Sequence, residues 1–276
     1  MKNILIPTDF SKNATDAAKY TLNLFENENC KFYHLHSVDV EVSKLNNLTH
    51  KFTQSIREEA LIKLNKLKSY FTITDSKFTN RQKTILSFDS LVDAVKVNTK
   101  KHNIDLVVMG TKGMTGLRTM LFGSNAVNVI NKSEDCATLI VPDEIEFQKI
   151  KKIGFPTDLK VISPKIIEEV KFLAELHNAT IMIMHITDAE NLTEEQFEKL
   201  EYLKKEFEGV DHYFHVMPMY NKITDEILDF IEDVEIDLLV ISKNEHSFIE
   251  KIFREPVIEK LGHTIKIPLM VVPQNN

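Results

Sequence analysis

Glycine is scarce in this chain, with seven among 276 residues. Cysteine is scarcer: Cys30 and Cys136 are the only two, and each opens an apolar stretch. A disulfide framework is thereby excluded, and both read as reduced core thiols of a cytoplasmic protein. No run of 18 apolar residues occurs, so no membrane-spanning helix is expected. The amino terminus enters a strand directly, without the pattern of a signal peptide. The net charge is −7, and there is no basic tail or stripe, which argues against nucleic acid as a principal partner. His36 and His185 have no second His or Cys at metal-ligand spacing and read as core or crevice-edge histidines. The acidic set Glu226, Asp229, Glu232, Asp233, Glu235 and Asp237 reads as a solvated helix face rather than a metal site. No Ser-His-Asp order, no paired carboxylates and no evident general base for phosphoryl transfer stand out, which favours a binding protein over an enzyme.

Four of the seven glycines sit together in VMGTKGMTGLRTMLFGSNAVNV, from Val108 to Val129. Gly110, Gly113 and Gly123 form the spacing G-x2-G-x9-G-S, which ends at Ser124; Gly116 lies outside it and serves to loosen the loop. IDLVVM before it reads as a buried strand, and SNAVNVINK after it as a short helix. A strand, a glycine loop and a helix amino terminus together suit phosphate, because amide N–H groups face the anion and the helix dipole adds favourable potential. The loop is not a Walker P-loop, since no G-K-[ST] follows, and it is not the G-x-G-x-x-G dinucleotide fingerprint.

The chain repeats itself. ILIPTDF at Ile4 returns as IGFPTDL at Ile153, and Pro7 with Pro156, Asp9 with Asp158 and His36 with His185 all share an offset of 149. IDLVVM at Ile104 returns as IDLLVI at Ile236 with an offset of 132, so the second copy is shorter by 17 residues. Two domains are expected, 1–146 and 147–276. Strand and helix patterns alternate within each copy. KNILIP, CKFYHLHSV, RQKTIL, IDLVVM and ATLIVP read as strands, with helices starting near Ser11 or Asn13, near Gln54, at Ser90 and at Ser124. The fold class is therefore α/β, with two tandem doubly wound parallel-sheet domains.

The glycine spacing, NILIPTDFS at Asn3, HLHSVD at His34 and ATLIVP at Ala137 together resemble the universal stress protein family. The likeness is good over residues 1–142 and weaker beyond. It implies the adenine-nucleotide alpha hydrolase-like strand order 3-2-1-4-5, with ATP as the cofactor, with or without magnesium. It also implies pairing of the two domains about a pseudo-twofold axis through their last strands, and leaves a homodimer of the whole chain open. Ligands of such sheets bind at the carboxyl ends of strands where the order reverses, here between strands 1 and 4. Pro7, Thr8 and Asp9 end the first, and Met109 and Gly110 end the fourth.

The candidate nucleotide site follows from these two ends. Gly110 is expected to let the chain leave strand 4 sharply, and Gly113 to let phosphate approach the backbone. Gly123 and Ser124 open the helix, and the amides of Ser124 and Asn125, with Ala126 in the same turn, face phosphate. Asp9 is placed to bind a ribose hydroxyl, an adenine edge or a metal-bound water, or else to cap the next helix. By resemblance, the Val38 backbone bonds adenine, and Met109 packs on the base. Lys112 and Arg118 are loop cations, placed either to neutralise phosphate or simply to face solvent. In the second copy the corresponding positions are Ser242, Glu245, Glu255 and Pro256, which add carboxylates and remove an amide. One nucleotide per chain is therefore expected. The reading is a stress-response or signalling module that binds ATP, against a slow adenine-nucleotide hydrolase or a nucleotide-independent scaffold.

Overall fold

The computed structural model describes residues 1–38, 50–74, 80–111, 123–133, 135–189, 191–243 and 267–274. The chain divides into two compact units, the first ending at Phe147 and the second running from Gln148.

In the first unit β1 (Lys2–Pro7), β2 (Cys30–Ser37), β3 (Gln82–Ser87), β4 (Leu106–Gly110) and β5 (Ala137–Val141) alternate with helices. The helices are α1 (Lys12–Leu24), α2 (His50–Thr74), α3 (Leu91–His102) and α4 (Ser124–Lys132). Parallel pairing gives the order 3-2-1-4-5. The strands are near-continuous apolar runs because helices cover both faces: Ile4, Leu5, Leu35, Val107, Val108 and Leu139 are fully buried. His34 interrupts this core. It is fully buried and lies parallel to the Phe71 ring of α2 at 5.3 Å, with Nε2 2.5 Å from Gln82 Oε1.

In the second unit β6 (Lys152–Pro156), β7 (Thr180–Thr187), β8 (His212–Pro218), β9 (Leu238–Ser242) and β10 (Leu269–Val272) pair in the order 8-7-6-9-10. Its described helices are α5 (Pro164–His177), α6 (Glu194–Glu206) and α7 (Ile223–Val234). Glu245, Glu255 and Pro256 of the second copy lie outside the described residues.

The internal repeat reaches down to single hydrogen bonds. Asn3 N–H donates to the Asp105 carboxylate at 2.7 Å, and Lys152 N–H donates to that of Asp237 at 2.9 Å. Each bond pins the start of a first strand to the chain entering the fourth. Asn103 and Glu235 end α3 and α7 in the left-handed conformation, as Asn178 ends α5. Helix starts are capped by side chains at Ser11, Ser90, Ser163 and Thr193. Between the two expected caps of α1, Ser11 performs the role, and α2 starts at His50, before the expected Gln54. These boundaries are set by backbone bonding rather than by which residues face the core.

Candidate nucleotide site

The ends of β1 and β4 open on a cavity of about 320 Å³, a size suited to a small-molecule ligand. Pro7, Thr8, Asp9, Met109, Gly110, Gly123, Asn125 and Ala126 all line it. Residues about 100 positions apart are brought together because the strand order reverses between β1 and β4.

The floor is rigid. Thr8 N–H donates to Leu35 O at 2.8 Å, and the Thr8 carbonyl accepts from His36 Nδ1 at 2.8 Å. Phe10 follows with φ 64°, a left-handed conformation that is unfavourable for a bulky side chain. Two short turns hold it there: Phe10 N–H donates to Thr8 Oγ1 at 3.0 Å, and Ser11 N–H donates to Asp9 Oδ1 at 2.9 Å. The Phe10 ring also rests 4.4 Å from the His36 imidazole. Asp9 thus shapes the entry to α1 while Ser11 caps it through Ala14 N–H at 3.2 Å. The second unit repeats the arrangement with Thr157, Asp158, Leu159 (φ 59°) and His185. The two histidines are therefore strand-end supports, one half-buried and the other 3% exposed.

Gly110 departs from its expected role. It is paired with Val141 inside β4, and its φ is not left-handed. The glycine is required for close approach instead: a Cβ there would meet the Asn13 side chain and come within 3.2 Å of the Asn13 carbonyl oxygen. Asn13 is itself held by a hydrogen bond from Nδ2 to Asp143 Oδ1. Thr111 N–H continues the ladder to Val141 O at 3.1 Å, while the Thr111 carbonyl accepts Gly123 N–H at 2.5 Å. This bond closes the base of the glycine loop and presents Gly123 as the amino-terminal cap of α4. Ser124 and Asn125 follow as exposed first-turn residues, and Ala126 is buried. Gly113, Gly116, Lys112 and Arg118 lie outside the described residues.

Val38 and Ser124 are described but do not line the cavity. Val38 N–H donates to Ser87 O at 2.9 Å, which closes the end of β2 onto β3. The lining adds residues that the motif did not single out, among them Ser37, Ser90, Leu91, Val92 and Thr111. A signal for three of them was present. Ser90 caps α3 and leads directly into Leu91 and Val92, so they form a helix start at the carboxyl end of a strand. Cys30 lies at the opposite, amino end of β2, where burial raises its thiol to about 11 and makes it a poor nucleophile. Among the described residues no group of three or more His, Cys, Asp or Glu is placed to hold a metal ion, and no helix is long and apolar enough to cross a membrane.

Comparison with known proteins decides the family. The family model for universal stress proteins matches residues 1–142, just over half of the chain. The chain belongs to the universal stress protein family. A universal stress protein of Methanocaldococcus jannaschii is 30% identical over 143 residues, covering 51% of this chain and 81% of the relative. Another from the same organism is 28% identical over 149 residues, covering 48% of this chain and 90% of the relative. The crystal structure of a universal stress protein from Archaeoglobus fulgidus is similar at a TM-score of 0.69 and 17% identity, over 99% of this chain and 97% of that one. At that identity the likeness shows the shared fold.

Proposed function

We propose that this universal stress protein binds ATP in the first unit, with or without magnesium, and acts as a stress-response or signalling module. The observation that carries the reading is the cavity itself. It joins the Pro7-Thr8-Asp9 strand end to the amino terminus of α4, so a carboxylate stands at one side and helix amides at the other. Phosphate belongs at the start of α4, where the dipole and the first-turn amides of Ser124, Asn125 and Ala126 favour an anion. The nucleoside then extends past Asp9 and Met109 toward the end of β2. Since the Val38 amide is already engaged by Ser87, any base contact from Val38 uses its carbonyl oxygen.

The domain assignment belongs to the same proposal. Residues 1–146 form the nucleotide-binding domain, and residues 147–276 form a second domain of the same kind that binds none. There Glu245, Glu255 and Pro256 replace the glycines and the serine of the motif. Calorimetry with ATP and magnesium tests the whole reading. It should give one site per chain, and Gly113→Val should abolish binding by filling the space through which phosphate reaches the backbone. Two sites per chain, or unchanged affinity in the variant, would refute the assignment. The nucleotide released on denaturing the purified protein separates the alternatives. ATP supports the binding module, ADP or AMP accompanied by turnover supports the slow hydrolase, and no nucleotide supports the scaffold.

A further inference from the structure

Ser37 ends β2 and lines the cavity together with Ser90, the cap of α3. Asp89, the residue before Ser90, ties Ser37 to Ser87. Ser37 Oγ–H donates to the Asp89 carbonyl oxygen at 2.6 Å, and Ser87 Oγ–H donates to the Asp89 carboxylate at 2.7 Å. Ser90 Oγ–H donates to the Asp93 carboxylate at 2.6 Å. A hydroxyl has one proton and two lone pairs, so each of these serines has only acceptor capacity left for a ligand. The neighbouring Val38 N–H is likewise committed, at 2.9 Å, to Ser87 O. The donors remaining at this wall are the first-turn amides of α3, at Leu91 and Val92. The side chains and the strand end therefore present lone pairs to the cavity, while the α4 turn presents N–H groups.

We infer that Ser37, held by the Asp89 carbonyl, is a specificity-determining residue that selects a base carrying an exocyclic amino group over one carrying a carbonyl at the same place. This rests on the nucleotide reading of the cavity. An amino group donates into the lone pairs of Ser37. A carbonyl oxygen would oppose them, or would force Ser37 to release Asp89 and leave that carbonyl unpaired. The hydroxyl is thus oriented by the β3–α3 connection, and its orientation is what the base reads.

The test compares ATP, purine riboside triphosphate and inosine triphosphate on the full chain by calorimetry. These differ at C6 of the base, which carries an amino group, hydrogen or a carbonyl oxygen; inosine also carries a proton on N1, where the other two accept. ATP should bind most tightly and inosine triphosphate most weakly, with about a tenfold difference between these two. Ser37→Ala should reduce the difference to about twofold, and Ser37→Thr, which keeps the hydroxyl, should restore it. Unchanged melting of both variants would show that the fold is intact. If all three nucleotides bind alike, the nucleotide site stands but the selective wall falls; if inosine triphosphate binds most tightly, the assignment to Ser37 falls and the amides of Leu91 and Val92 are the groups reading the base. If Ser37→Ala leaves the preference unaltered, the assignment to Ser37 falls. If none of the three binds, the nucleotide reading fails and takes this inference with it.

Discussion

His36 Nδ1 donates to the carbonyl oxygen of Thr8 at 2.8 Å, and His185 makes the same bond to Thr157 at 2.9 Å. A carbonyl can only accept, so Nδ1 carries the proton in both. The bond anchors the turn that carries Asp9 in one unit and Asp158 in the other. His36→Ala should destabilise the protein by about 1–2 kcal/mol through the lost bond and should also weaken ATP binding. His185→Ala should lower stability comparably and leave ATP affinity unchanged. Urea unfolding and calorimetry on both variants check this contrast. An equal loss of ATP affinity in both would contradict a nucleotide site in the first unit alone.

Asp9 offers a separation of turn and ligand roles. Asp9→Asn keeps a side-chain oxygen to accept from Ser11 N–H, so the turn survives and stability should change by less than about 0.5 kcal/mol. The charge is lost, and a ribose hydroxyl would then meet a neutral acceptor, so ATP affinity should fall about tenfold. The matching change Asp158→Asn should affect neither property. Thermal melts and ATP titrations decide the matter, and an unchanged affinity in the Asp9 variant would leave that carboxylate with the turn alone.

Gly110→Ala should cost about 1–3 kcal/mol, because the added methyl is forced against Asn13 on α1. Asn13→Ala in the same chain should recover part of the loss by removing the amide that the methyl meets. The remainder should persist, since the Asn13 carbonyl oxygen stays 3.2 Å from the new Cβ. Chemical denaturation of the single and double variants measures the coupling. Full tolerance of the single change would mean that α1 shifts freely over β4.

Acid should weaken the first unit through His34. Burial lowers its pKa to about 4, against the opposing pull of the Gln82 bond. The unfolded value is about 6.5. Between these values the unfolded chain binds the proton and the folded chain does not, so stability increases with pH across that window. The contribution is complete above pH of about 6.5 and is lost as pH falls toward 4, by up to about 3 kcal/mol. Replacing the pair together, His34→Leu with Gln82→Leu, removes the titrating group without orphaning the amide. Unfolding free energies from pH 4 to pH 7 should then lose this slope, and an unaltered slope would assign the acid sensitivity elsewhere.

The alternation of apolar strands with amphipathic helices was legible because burial on two faces demands it locally, as in Ile4 to Pro7 and Leu106 to Met109. Gly110 and Gly123 of the glycine spacing, and the strand-end Asp9, all line the cavity. The helix starts at Ser11, Ser90 and Ser124 were legible from capping residues and glycine position. The wall made by Ser37, Ser90 and Thr111 was not, because no motif joins these positions and each is ordinary in its own segment. Gly110 was recognised as necessary but for a different reason, since a clash with Asn13 is a contact between segments far apart in sequence.

By itself the sequence determined the class of fold and the family. These depend on residue type and spacing along the chain, and backbone sterics, hydrophobic periodicity and helix capping act within a few residues. Only the tertiary structure decided which polar groups remain available in the cavity. The proton of Ser37 and the carbonyl of Thr8 are engaged by Asp89 and His36, and the adjoining amide of Val38 by Ser87. Hydrogen-bond capacity is finite, and what a group can offer a ligand depends on which neighbours have already taken it.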